Sequence, residues 1–419
     1  MNASQFGKRV TYPVDGQVYA QPLFVPNLTV NGASHNVVFV VTEHDSVYAF
    51  DADQTTASAP LWQTSFLTNG ATSVPSTAVT CNDMVPEIGI TGTPVIDSSS
   101  NTMYLVAYTS ENGSLIYRLH AINITTGQDE SSPIVLQGSV SGSGAGNVNG
   151  TIAFNPQHER QRSALLMANG QIYIAFGSFC DNAPYHGWIM SYSFNNSQFQ
   201  QTAIYNDTSA GAGGGIWGAG NALAADDSGN IYTITGNGDF NLNTGGPNAG
   251  DSFVKFSPQL TVLNSFTPFN QLCLSQADAD LGSGGPVLIP STNEQIGAGK
   301  EGRIYVLNNS NMGGYTPDPN LSCASSSTER LRTDIDKVVQ ELPPSTVGGI
   351  YSTPAYWNGL VYFTGGSDHI KAFRFSSGVL TTAPVSQTPE SFTFTGGGST
   401  ISSNGNDSST AVLWAIDPG

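Results

Sequence analysis

Three short stretches gather side chains able to move protons or hold anions: Glu43-His44-Asp45, His158-Glu159-Arg160-Gln161-Arg162 and Tyr185-His186. Histidine titrates near neutrality, tyrosine can pass a proton, and the planar guanidinium of arginine matches a carboxylate. His44, His158, Arg162, Tyr185 and His186 therefore have the composition of a cofactor-free site that binds and cleaves an acidic sugar. A lone histidine in a strand-rich chain more commonly serves structure. A second set consists of Asp278-Ala279-Asp280, Lys300 and the Asn237 of Gly236-Asn237-Gly238. By residue type alone, Asp278 and Asp280 suit Asx-turns, Asn237 suits a left-handed turn, and Lys300 before Glu301-Gly302 suits a solvated hairpin. Trp217, behind Gly214-Gly215, suits either channel packing or the floor of a ligand site.

The chain has no HExxH, Walker A, nucleophile-elbow or EF-hand pattern, so zincin, P-loop or serine-hydrolase chemistry has no sequence support. Its 13 Lys+Arg stand against 31 Asp+Glu, a net charge of −18, which excludes a steering field for nucleic acid. Only 11% of residues are charged, against roughly 25% in ordinary domains, and the surface must be built from Ser, Thr, Asn and turns. No stretch reaches the ~20 apolar residues of a membrane-spanning helix. Met1 before Asn2-Ala3-Ser4 reads as an initiator placed on a mature sequence. Cys81, Cys180, Cys273 and Cys323 lack C-x-x-C spacing, and their even number fits two disulfides in an oxidising compartment, extracellular or periplasmic. Ten Asn-x-Ser/Thr sequons, at Asn2, Asn27, Asn112, Asn123, Asn149, Asn195, Asn206, Asn308, Asn320 and Asn406, point the same way, to a glycosylated secreted protein.

These candidates lie between strands that recur. The runs Val37–Val41, Met103–Val106, Ile172–Ala175, Ile231–Ile234 and Leu360–Phe363 are short, β-branched and aromatic. Their aromatic positions Phe39, Tyr104, Tyr173, Tyr232 and Tyr362 are separated by 65, 69, 59 and 130 residues, and a missing member falls midway in Gln295–Gly299. Each run has a strand before it, as in Gly92–Ile96 or Ser352–Tyr356, and one after it, as in Ser46–Asp51 or His369–Phe373. This pattern predicts an all-β chain, a β-propeller of four-stranded antiparallel blades in one domain over residues 1–419. Six repeats are whole. Ser399–Ser403 and Ala411–Asp417 form part of a seventh, which predicts an incomplete ring, truncated at its C-terminal end, with Lys8–Val14 as the expected closing strand. Ser325–Leu342 reads as helical, within a blade insertion around 312–342.

The repeats also carry a resemblance. Ala121-Ile122-Asn123-Ile124-Thr125-Thr126-Gly127 resembles the A-x-D-x-x-T-G blade motif of the pyrroloquinoline quinone (PQQ) repeat family, and Ala49-Phe50-Asp51 with Trp62 resembles the same motif with its docking tryptophan. Gly214-Gly215-Ile216-Trp217 and Thr235-Gly236-Asn237-Gly238 are similar to the G-G-x-x-W … T-G-N-G run of the quinoprotein alcohol dehydrogenases. Lys300–Leu307 is similar to their K-N-G-F-F-Y-V-L, and Asp278-Ala279-Asp280 looks like the segment with their catalytic aspartate. The resemblance implies an oxidoreductase acting on alcohols or sugars with PQQ and calcium. Trp217 would stack under the quinone, Asn237 and Asp181 (or Asn182) would ligate calcium, Asp280 or Asp278 would take the substrate proton, and Lys300 would meet a quinone carbonyl. Cys81–Glu87 sits where the family has C-C-D-x-V-N-R, so the vicinal disulfide is absent and Glu87 stands where an arginine meets the anionic cofactor. The matched loops imply a Cys81–Cys180 disulfide at the channel mouth and a Cys273–Cys323 disulfide around the fifth-blade insertion. Two other functions remain compatible with the residues: the acidic-sugar lyase or hydrolase, and a non-catalytic binding or scaffold propeller. The expected partner is a small molecule or carbohydrate.

Overall fold

A computed structural model describes residues 7–325 and 327–419. Blade one runs through Leu23–Val30, Ala33–Val41, Ser46–Asp51 and Trp62–Ser65, each strand antiparallel to the last. Blade two is Val95–Asp97, Thr102–Glu111, Ser114–Asn123 and Ile134–Val135. Leu166–Ala168, Gln171–Ser178, Trp188–Asn195 and Gln198–Asn206 make blade three; Leu223–Ala225, Ile231–Ile234, Phe253–Phe256 and Val262–Thr267 make blade four. Blade five is Val287–Leu288, Glu294–Ala298, Ile304–Asn308 and Gln340–Leu342, so the repeat masked by glycines in the sequence is present. In blade six, Ala355–Trp357, Leu360–Thr364 and His369–Ser376 are flanked by Val379–Leu380 and Ser386–Ser391. Ser399–Ser402 and Val412–Ala415 form a two-stranded start of blade seven against the inner strand of blade six. The fold is thus a β-propeller with six blades and part of a seventh.

The core is divided into layers between neighbouring blades. Val37, Phe39 and Val47 of blade one pack on Met103, Leu105 and Ile122 of blade two. Tyr108, Tyr117 and Leu119 meet Phe176 and Trp188 of blade three, and the same interleaving continues to blade six. This is why both faces of the second strands are apolar, a pattern of continuous hydrophobic runs. The repeat motif explains one joint. Asn123 Oδ1 accepts from the N–H and hydroxyl of Thr125, closing the turn after its strand. Gly127 at φ +72 then lies flat under Trp62, whose Nε1 donates to Ile124 O at 3.0 Å. Trp62 thereby docks blade one on blade two.

Three expectations are corrected. Lys8–Val14 is not a strand and does not pair with blade seven. Tyr12 instead stacks on Phe50 with ring centroids 4.4 Å apart and donates to Asp51 O, so this segment lies along blade one, where Pro13 could not have contributed a ladder N–H. Among the described residues of 325–342, which leave out residue 326, the helix does not form: they contain one 3-10 turn, Glu329–Leu331, and end in the fourth strand of blade five, Gln340–Leu342, so the insertion stops short of 342. The physical reason is the buried Arg303, whose guanidinium takes the carbonyls of Arg330 and Arg332 that helix propagation would have needed. Helix forms instead at Gln271–Gln276, tied to the insertion by the disulfide Cys273–Cys323. Asn206 is buried and its Oδ1 accepts from Thr208 N, so that sequon cannot carry a glycan in the folded protein.

Candidate functional site

The loops that follow the second strands of blades three, four and five meet around one indole. Gly213, Gly214 and Gly215 have φ values of +75, +92 and +97, a run open only to glycine, and they bring the chain back across the mouth to Trp217. Asp207, fully buried, accepts from the N–H groups of Gly187 and Gly215 at 2.7 and 2.9 Å and holds that run in place. Trp217 is itself only 9% exposed and donates to Gly214 O, so it serves chiefly as the hub on which other groups pack. Tyr185 meets it edge-on at 6.1 Å, and its hydroxyl faces the Asp181 carboxylate and favours the charged form of that group. On another side Arg162 lies 5.9 Å from the ring centroid and donates through Nε to Trp217 O.

Beside this hub the second candidate set converges. Lys300 Nζ lies 2.6 Å from Asp280 Oδ2 and 3.1 Å from Asp278 Oδ1. Asn237 N donates to Asp280 Oδ1 at 2.7 Å, and Asn237 Nδ2 donates to Asp278 Oδ1 at 3.0 Å. A methyl on Gly236 would lie within 2.6 Å of both Asp280 Oδ1 and Trp217 Nε1, which puts the Asp280 carboxylate next to the indole. Residues separated by 43 and 63 positions thus form one connected network, and the turn roles open to Asn237, Asp278 and Lys300 do not exhaust them. Burial works against the charged form of Lys300, but the Asp280 and Asp278 carboxylates outweigh it and hold its pKa above the ordinary value. Burial raises Asp181, opposed by the Tyr185 hydrogen bond and reinforced by Asp280 and Asp278.

Besides Asp207, two residues of this site had not been singled out. Asp251, buried, accepts from Leu281 N at 3.1 Å and from Gln271 Nε2, fixing the segment that carries Asp278 and Asp280. Asp45 does the same for blades one and two by accepting from Tyr108 N, and both aspartates have φ near +50, so alignment of Asp45-Ser46 with Asp251-Ser252 was the available signal. Tyr351, from blade six, is the other; its pKa is raised by burial, and it senses the charges of Lys300, Asp278 and Asp280.

Several sequence candidates lie elsewhere. Glu87 does not face Lys300: it pairs with His44 Nδ1 at 3.0 Å and accepts from Ser73 Oγ, so its negative charge is spent at the joint of blades one and two. His186 has both ring nitrogens engaged, by Thr208 Oγ1 and Ala145 O, and burial lowers its pKa, which makes it structural. His158 bonds Asn182 O, while Asn182 Nδ2 clips onto Val79 O and Thr80 O. The His44, His158 and His186 rings thus have separate partners, and of the acidic-sugar set only Tyr185 and Arg162 reach the Trp217 hub. The Cys81–Cys180 disulfide forms next to Asp181. Among the described residues the one close grouping of metal-ligating types is Cys81, Asp83 and Cys180, whose sulfurs are bonded to each other.

Among solved structures, the chain is similar to a quinohemoprotein alcohol dehydrogenase from Pseudomonas putida HK5, at 13% identity and a TM-score of 0.53 over 98% of this chain and 72% of that one. The shared feature is the propeller fold. Lower-scoring similarities include a europium-containing methanol dehydrogenase (12% identity, TM-score 0.46, 93% and 85% covered) and BamB from Moraxella catarrhalis (12%, 0.46, 85% and 72%). No protein-family model matches the chain, and no curated protein matches its sequence. At these identities the likeness is one of fold, and the chemistry has to be argued from the residues.

Proposed function

We propose that the mouth formed by Asn237, Asp278, Asp280 and Lys300 is the active site of a quinoprotein-type oxidoreductase that takes alcohols or sugars. One observation carries the reading: Asn237 Oδ1 is buried and has no hydrogen-bond partner, although its amide orientation is set by donation from Nδ2 to Asp278. A carboxylate cannot donate back, so the free oxygen is a carbonyl acceptor, and leaving it unsatisfied costs about 1–3 kcal/mol. A hard cation such as calcium satisfies such an oxygen, with the Asp181 carboxylate as a second protein ligand. Asp181, Asp278 and Asp280 are not among the close groupings of metal-ligating residues found in the described chain, so the remaining ligands would come from the bound cofactor and water.

PQQ, when bound, supplies the hydride acceptor. The chain's own groups do the rest. Asp280 is oriented by Asn237 N and Lys300, and as a carboxylate beside the mouth it is placed to take a proton from a substrate hydroxyl. Lys300, kept cationic by its two carboxylates, stabilises negative charge that develops next to it. Glu87 is turned toward His44, and Asp83 of the same loop pairs with Arg160. Two disulfides support an oxidising compartment, and no described helix is long and apolar enough to cross a membrane. The test is titration with PQQ and calcium, followed by absorbance and thermal shift, then dye-linked oxidation of alcohols and sugars. Calcium-dependent stabilisation by PQQ with turnover is expected; no stabilisation and no turnover would replace this reading with that of a binding propeller.

A further inference from the structure

Arg118, Arg160, Arg303 and Arg332 each face a carboxylate. Arg162 does not: among the described residues its side chain makes no ion pair, and its one hydrogen bond runs from Nε to Trp217 O. That bond leaves the Nη1–Nη2 edge of the guanidinium unassigned, and this edge is the part of the fork that binds a carboxylate bidentately. Acidic residues outnumber basic ones by 31 to 13, yet an arginine at a half-buried position beside Trp217 has been left without a partner. Holding a guanidinium in a poorly hydrated place with no carboxylate in contact is unfavourable; Arg160 two residues away adds like-charge repulsion, and the Asp83 and Asp280 charges offset this without pairing with it. Burial, with the Arg160 charge, brings the Arg162 pKa down to about 10, so it stays cationic at neutral pH.

We propose that Arg162 is a carboxylate receptor at the channel mouth, gripping a carboxylate of a molecule bound beside the Asp280–Lys300 pair. It supplies the positive charge that Glu87 cannot, from the edge of blade three instead of the loop before blade two. The inference rests on the mouth being a ligand site, as in the reading above, but not on calcium or on a redox step. The carboxylate has two sources, the quinone or an acidic substrate such as a uronic or other sugar acid.

The probes are PQQ with calcium, D-glucuronate, and glucose as the neutral control, each titrated by calorimetry against the whole chain. Wild type is expected to bind PQQ, glucuronate or both, and to prefer glucuronate over glucose. Arg162→Gln should weaken the carboxylate probe about ten-fold or more, the size of one charge-assisted pair, and leave glucose unchanged. Arg162→Lys keeps the charge, loses the fork and should fall between; it also serves as the working variant if Arg162→Gln does not fold by circular dichroism. Weakened PQQ alone assigns the carboxylate to the cofactor, and weakened glucuronate alone assigns it to the substrate. Arg162-dependent glucuronate binding without any PQQ binding would uphold the receptor and sink the quinoprotein reading. Calcium-dependent PQQ binding that is equally tight in Arg162→Gln and Arg162→Lys would do the reverse, and a wild type that binds neither carboxylate overturns the receptor.

Discussion

Lys300 shows how a residue's surroundings change what its type suggests. A lysine before Glu-Gly in a hairpin would be expected to contribute nothing to stability, but its Nζ neutralises Asp280, which is 7% exposed. Lys300→Ala should therefore abolish turnover and also lower stability by about 1–3 kcal/mol, because it strands a nearly buried carboxylate. Denaturant unfolding at neutral pH measures the second effect, and an unchanged midpoint would mean that the pair is not formed in solution. Asn237, Asp278, Asp280 and Lys300 were legible as a group only because each sits in a stretch that resembles the quinoprotein alcohol dehydrogenases; by residue type alone they suit turns. Arg162 and Asp251 were not, since a guanidinium without a partner and a carboxylate under a loop are defined by what other blades place around them. Glu87 illustrates the same limit from the other side, being correctly located in the chain but turned toward His44.

At the scale of elements, the strands follow from period and composition, whereas the joints between blades rest on a few contacts. Gly127 is one, with positive φ and Trp62 Cε3 only 2.5 Å from where a methyl would sit. Gly127→Ala should destabilise by about 2–4 kcal/mol, combining backbone strain and overpacking. In a Trp62→Ala background the indole collision is gone, and the cost should fall toward the positive-φ cost of about 1 kcal/mol, with the Thr64 Oγ1 contact at 2.9 Å as the remainder. Equal costs in both backgrounds, read from urea midpoints, would show that the indole is not docked there. The failure of the helix expectation at 325–342 belongs to this scale too: charge pattern favoured a helix, but Arg303 captured the carbonyls a helix would use.

The molecule as a whole buries an unusual set of acids. Burial raises Glu43 to about 7, Asp207 to about 6, Glu341 to about 7 and Asp336 to about 8. Their ordinary values are 4.5 for glutamate and 3.8 for aspartate. Between those ordinary values and the raised ones the native state holds more protons than the unfolded chain, so stability falls as pH rises through the window. The net charge of −18 works in the same direction by self-repulsion. Asp51, Asp97 and Asp368, whose pKa values are lowered, oppose this only at pH below about 4, whereas His186, lowered from 6.5 by burial, opposes it up to about pH 6.5 as one group against four. Calorimetry should find a higher melting temperature near pH 5 than near pH 8, with a shallower slope in Glu43→Gln. A melting temperature that is flat or rises from pH 5 to 8 would contradict the burial of these acids.

The sequence by itself determined the strands, their repeat of about 65 residues, the six-and-a-part blade count and the propeller, because alternation and turn chemistry are local and survive being read one segment at a time. It also placed the polar candidates in the loops between the recurring strands. Only the tertiary structure decided which of those groups meet. The Asp278–Lys300 network, the Trp217 hub and the partnerless Arg162 depend on how blades three, four and five turn about a common axis, and the run of Tyr12 along blade one depends on which surface was left uncovered. Contacts between loops from different blades are set by blade stacking and register, quantities that no single segment of the chain contains.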